Sequence, residues 1–231
     1  MANLNTHIKY IRTLWNNGPI SDDVTFSDRI WGHTLKQSRS RLLKIKLDKY
    51  DHIADSNYST LCVELQNSSY KDCSCLNLPE NCTILRSVKK LPKELVAKWG
   101  STILVNTFDG SSIGETTITR NKYAKYSISN TKPKTGWFIE DGYLYILNNK
   151  KLKAVLVKGI WEDPEIAADF NDCTNEDLPC IEADDFPIDS ELVYPMYQLS
   201  IELIQVGLGL PQDNKNDGRS VENIQAVEPN E

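Results

Sequence analysis

Long apolar runs are missing from these 231 residues. No stretch approaches the ~20 consecutive apolar residues that a membrane-spanning helix needs, so no membrane partner is expected. Histidine is scarce as well: His7, His33 and His52 lie far apart, and none is close to a cysteine. There is no glycine-rich phosphate loop, no H-E-x-x-H and no nucleophile elbow, which removes the usual signatures of nucleotide binding, zinc proteolysis and serine hydrolysis. "GSSIG" at 110–114 sets serines between glycines, but it lies in a hairpin turn and not on a strand-to-helix elbow. The opening "MANLNTHIKYIRTLW" lacks an apolar h-region and a small-residue cleavage site. The expectation is therefore a chain without a signal peptide, kept in a reducing place where disulfides are disfavoured. The Asn-x-Ser/Thr matches at Asn57, Asn67 and Asn81 are read as chance. With these signatures absent, an enzyme is not expected, and no catalytic residue or cofactor is assigned.

What is present begins with cysteine. "KDCSCLNLPENC" at 71–82 carries Cys73, Cys75 and Cys82, and Cys62 lies just upstream. Four thiols satisfy the count for tetrahedral zinc, but the Cys73–Cys75 step is short and the second paired knuckle is missing. A zinc site on Cys62, Cys73, Cys75 and Cys82, making a zinc-stabilised protein-binding module, is the alternative function. A disulfide reading fits Cys173 with Cys180 better than an adjacent C-x-C pair, whose thiols cannot easily meet. The favoured reading is free, buried thiols acting as small hydrophobes.

Charge is distributed unevenly. The net charge of −6 conceals a front, residues 1–50, with nine lysines and arginines against four carboxylates. Residues 161–231 hold eighteen carboxylates and two cations. Such a chain is either a fold with a solvated acidic end or one whose basic part meets the acidic part of another copy. Head-to-tail contacts of the second kind make rings when the rotation closes. The overall balance is wrong for sequence-specific DNA binding.

Periodicity places the elements. Leu4, Ile8, Ile11, Leu14 and Trp15 recur at helical spacing over 3–16, and "NNGP" stops that helix. A long basic helix is expected over about 26–50, opened by Thr25 and Asp28 in a capping-box arrangement. Its apolar stripe is Trp31, Leu35, Ser38, Leu42 and Ile45. Arg29, Lys36, Arg39, Arg41, Lys44 and Lys46 fill the rest of its circumference and are candidate assembly contacts. Asp184, Asp185 and Glu191 are their acidic counterparts. Reversing charge at Arg39 and Arg41 is expected to impair assembly more than folding.

Residues 57–70 read as a short apolar segment, strand or helix. Residues 101–161 read as β, with Asp109-Gly110 and Asp141-Gly142 between apolar runs as type I′ hairpin signals. The aromatics Trp137, Phe138, Tyr143, Tyr145 and Trp161 are expected in core and cross-strand pairs. A C-terminal helix carries Met196, Leu199, Leu203 and Val206 at helical spacing and stops before Pro211, with Pro195 near its start. Residues 212–231 are disordered by composition; held in place, such a tail needs a partner, since fixing each residue costs ~1–2 kcal/mol. The expected fold is α+β: N-terminal helices, a central antiparallel β meander, a C-terminal helix and an extended tail. Its regions are a helical or irregular docking part (1–100), a β part (101–165) and an acidic loop, helix and tail (166–231).

Four fragments, in order, resemble one family. "ISDDVTFSDRIWGHTLKQSRSRLLKIKLDK", "DCSCLNLPENCTILRSVKKLPK", "GWFIEDGYLYIL…KAVLVKGIWEDP" and "FPIDSELVYPMYQLSIELI…GLGLPQDNKND" are similar to a virion structural protein of crAss-like phages, short-tailed viruses of gut Bacteroidetes. The similarity spans nearly the whole chain. It implies a non-enzymatic head–tail connector or adaptor ring, docked beneath the portal as a dodecamer. Such a ring extends the channel for double-stranded DNA, which passes without sequence-specific contact, and connects the portal protein to the next tail ring. The implied location is the virion, with the host cytoplasm during assembly. The family carries no catalytic residues to transfer to this chain.

Overall fold

Asn3 caps the first helix, its side chain accepting hydrogen bonds from the amide and hydroxyl of Thr6 at 2.9 and 2.8 Å. That helix, α1 (Leu4–Trp15), turns Leu4, His7, Ile8 and Ile11 inward. A computed structural model describes residues 3–16, 26–49, 51–69, 84–98, 100–117, 135–170 and 186–207. The long helix α2 spans Asp28–Asp48, inside the expected 26–50. Its N-cap is Ser27 rather than Thr25, and the Asp28 carboxylate is held by Arg12 of α1 at 2.6 Å instead of closing a capping box.

The segment left open between strand and helix is a strand, β1 (Ser59–Ser68). Alternation decides it: Leu61, Val63 and Leu65 all face one apolar core. Six further strands follow: β2 (Ile84–Ser87), β3 (Leu104–Asn106), β4 (Ser112–Glu115), β5 (Gly136–Glu140), β6 (Tyr143–Leu147) and β7 (Ala154–Gly159). They close into a barrel in the order β1-β2-β6-β5-β4-β3-β7. The two hairpins read from sequence, β3–β4 and β5–β6, are present and antiparallel. The connectivity is not a simple meander, however. β4 and β5 pair in parallel, and β7 lies between β3 and β1. The physical reason is closure: β1 pairs with β7 through Ser59–Glu64 and with β2 through Leu65–Ser68, so one long strand seals both halves. Local turn signals carry no record of such long-range pairing. The barrel also draws two strands from before residue 100.

Turn chemistry differs between the two Asp-Gly pairs. Asp141 and Gly142 have φ of 51° and 80°, as a type I′ hairpin requires. Of the other pair only Gly110 takes positive φ, 85°. There the Asp109 carboxylate accepts from the Thr107 hydroxyl and, at 3.0 Å, from the Ser111 amide, and these bonds shape a longer turn. An added Cβ at Gly142 meets nothing closer than 3.7 Å, so Gly142→Ala is expected to cost only the left-handed conformation, about 1–2 kcal/mol, read as a lower urea midpoint with an unchanged slope. Gly136 is constrained by space instead: a Cβ there would come within 2.5 Å of the Thr116 side chain, where β5 meets β4.

Both faces of β5 and β6 are apolar. Trp137, Leu144 and Ile146 fill the barrel interior with Val105, Val155 and Val157. Phe138, Tyr145, Leu147 and Ile84 form a second cluster on the other face, where the register partners Phe138 and Tyr145 stack with centroids 5.0 Å apart. The aromatics are thus core and cross-strand pairs.

Beyond β7 come the short helix α3 (Pro164–Phe170) and the last helix, α4 (Ser190–Gly207), with Pro195 inside it. α4 runs antiparallel to α2, since Ser200 bonds Ser38 at 2.8 Å and Lys46 reaches Glu191. Its buried side is Leu192, Met196, Tyr197, Ser200 and Ile204. Of the expected stripe, Met196 alone is fully buried, and Val206 is 70% exposed. A helix apolar on several sides gives periodicity too little contrast to pick the inward one. α1, α2 and α4 share one core, which includes Trp31, Leu35, Leu43, Leu47, Phe186 and Met196.

Candidate assembly surface

One buried side chain links the helical layer to the barrel, beside the Lys36–Asp163 and Ser40–Glu162 contacts. Arg39 of α2 lies 1% exposed. Its Nε donates to the Pro187 carbonyl at 2.7 Å, one Nη to that of Trp161 at 3.0 Å and the other to that of Asn57 at 3.3 Å. Trp161 follows β7, Asn57 precedes β1, and Pro187 leads into α4. The Phe186 ring lies 5.9 Å beneath the guanidinium. Burial pulls the Arg39 pKa down to about 10, against the pull of Asp163, so the group is charged at neutral pH. Asn57 is itself buried and accepts from the Asp189 amide at 2.9 Å through its side chain. The fork geometry of arginine fits a three-carbonyl site that lysine cannot match.

Arg39 is therefore not a surface cation. The expectation that its reversal would spare folding is corrected by its burial. The stripe expected on α2 is shifted too. Leu43 and Leu47 are the buried positions of the C-terminal half, packed in the core that includes Leu95, Ala97 and Leu192, while Ile45 faces outward at 42% exposure.

The other cations of α2 fall into two groups. Lys36 contacts Asp163 at 3.0 Å and also Glu165. Burial alone would lower the Lys36 pKa, but hydrogen bonds to these two carboxylates outweigh it and raise the value. Lys44 meets Asp48 at 3.2 Å and the Val96 carbonyl, and Lys46 lies 3.7 Å from Glu191. Two sequence-predicted contacts, Lys46 and Glu191, thus face each other within one chain. Exposed pairs of this kind contribute little, roughly 0–1 kcal/mol each. Arg29 and Arg41 form the second group: both are exposed, with no ion pair among the described residues.

Arg41 stands on an i+4 ridge, His33–Gln37–Arg41–Ile45–Lys49, exposed at every position. Arg29 and Ile30, the latter 44% exposed, flank its start. Ridges at this spacing are what a partner helix packs against. Sequence reasoning missed Ile30 and Lys49 and placed Ile45 on the inner side. The exposure of Ile45 follows from the drift of an i+4 row around a 3.6-residue helix, which a fixed stripe does not follow.

Asp184 and Asp185 lie outside the described residues, as do Cys73, Cys75 and Cys82 and the tail 212–231. Cys62 is buried on β1 opposite Leu156. Burial, and then Glu64, push its thiol pKa up, which disfavours the thiolate that zinc takes. Among the described residues no group of three or more His, Cys, Asp or Glu side chains is placed to hold a metal ion, and no helix is long and apolar enough to cross a membrane.

The crAss-like phage family described as phage tail ring protein 2 matches residues 8–224. The chain belongs to this family. The match covers the helical layer, the barrel and α4 together, so a ring protein of a phage tail is what the described fold builds. Membership makes it a structural component of the virion, and self-association into rings is the behaviour of its class. No curated protein matches the chain.

Proposed function

We propose that this ring protein forms a closed ring of twelve copies at the head–tail junction, beneath the portal. There it extends the channel for double-stranded DNA and connects the portal protein to the adjacent tail ring, during assembly in the host cytoplasm and at genome ejection. The observation that carries this reading is the family match over residues 8–224. Two features support it. The Arg39 hub ties barrel and helices into one body, the kind of unit a ring needs to hold a fixed shape. The carboxylates of the tail 212–231 suit a surface along a lumen, where like charge keeps passing DNA from adhering. In this reading residues 1–100 supply docking surfaces and 166–231 the acidic counter-surface.

Cryo-electron microscopy of the intact virion tests the placement. The expected result is density for this fold in a cyclic ring directly below the portal. Density only at the distal tail, or none in the particle, would refute the proposed position.

A further inference from the structure

We infer that the outer ridge of α2, with Arg41 and Ile45 at its centre and Arg29 and Ile30 beside its start, is the surface on which a second copy of this chain docks through its carboxylate-rich stretch beyond α3. The inference rests on the ring reading above and names the contact that reading requires.

The chain's own electrostatics select the surface. Within the described residues Asp163 and Glu165 hold Lys36, Asp48 holds Lys44, Glu191 holds Lys46 and Asp28 holds Arg12. Every cation of α2 that faces its own chain is thus matched or, at Arg39, buried on carbonyls. Among the described residues the ridge is left unmatched: its arginines have no ion pair there, and with two exposed isoleucines they make an apolar area framed by positive charge.

Charge also selects the occupant. Ridge against ridge across a twofold axis would bring two rows carrying Arg29, Arg41 and Lys49 together, and like charges in contact are disfavoured. The partner segment must be acidic, and the sequence carries one: residues 171–185 hold six carboxylates and no cation. On the described side of that stretch, α3 exposes Ile166 and Asp169, again an apolar group beside negative charge. Basic ridge on acidic stretch is a heterologous contact, the class that propagates head to tail and closes into a ring.

The test uses the full chain. Its association is measured by mass photometry for wild type, Arg41→Glu, Ile45→Asp and, as control, Lys153→Glu, an exposed lysine beyond β6. Near-ultraviolet circular dichroism verifies folding. In parallel, a photo-crosslinker replaces Gln37 in an otherwise native ridge, with isotope-mixed copies to mark intermolecular links. The inference predicts at least tenfold weaker association for Arg41→Glu and Ile45→Asp, no change for Lys153→Glu, and crosslinks from position 37 into residues 161–185 of another copy. Arg41→Glu joined to Asp184→Arg and Asp185→Arg restores association. Rings that form equally well with the ridge variants, or crosslinks into barrel strands, would overturn the ridge while leaving the ring intact. A wild-type chain that stays monomeric at all concentrations would overturn the ring reading and the ridge with it.

Discussion

Replacing Arg39 by methionine is expected to lower the melting temperature by roughly 10 °C or more while leaving the secondary-structure content of the surviving folded fraction unchanged. The side chain is 1% exposed and serves three carbonyls from three separated segments. Methionine fills much of the same space but donates nothing. Each buried carbonyl left without a donor costs about 1–3 kcal/mol. Over three carbonyls the loss comes to about 3 kcal/mol or more. In a domain of this size 1 kcal/mol corresponds to roughly 2–4 °C. Arg39→Lys should recover part of the loss, since one ammonium keeps the charge but cannot span all three carbonyls. Arg41→Glu, on the exposed ridge of the same helix, should shift melting by less than about 2 °C, as surface substitutions stay within about 0.5 kcal/mol. Differential scanning calorimetry of the three variants checks this. Equal melting temperatures for Arg39→Met and wild type would mean that the hub does not hold the two layers together.

The second large effect is expected at Trp31. Its ring is fully buried between Trp15 and Phe26, with edge contacts at centroid distances of 5.7 and 6.0 Å. Trp31→Ala should cost about 3–5 kcal/mol, because the cavity opens where α1 and α2 cross and the surrounding side chains can close it only in part. Trp31→Phe should cost far less than its lost volume suggests. The indole N–H is buried with no hydrogen-bond partner among the described residues, so phenylalanine removes an unsatisfied donor together with the lost packing. Guanidinium unfolding monitored by circular dichroism separates the two variants; a Phe variant as unstable as the Ala variant would show that the N–H is satisfied in solution.

How much of this was legible beforehand depends on the range of each interaction. α1, α2 and α4 announce themselves through repeats of three and four residues, and Asp141-Gly142 through the positive φ that a tight hairpin demands. Those are local facts. Barrel closure is not: the pairing of Ser59 with Gly159 joins residues a hundred positions apart, and nothing near either end marks it. Arg39 shows the same limit. Its position on α2 looks like one more cation in a basic row, and only the folded chain brings the carbonyls of Asn57, Trp161 and Pro187 to it. The sorting of Lys36, Lys46 and Glu191 into internal pairs, leaving Arg29 and Arg41 outside, also needed the arrangement of α3 and α4 around α2. The family, by contrast, was legible from fragments in order, and the match over residues 8–224 agrees with it.

Self-association is the point on which the account turns, and native mass spectrometry of the purified full-length chain addresses it most directly. One dominant closed oligomer of high order, twelve copies, is expected, with no accumulation of dimers, because a heterologous contact is satisfied only when the ring closes. A stable dimer with twofold symmetry, or monomer alone at every concentration, would contradict it.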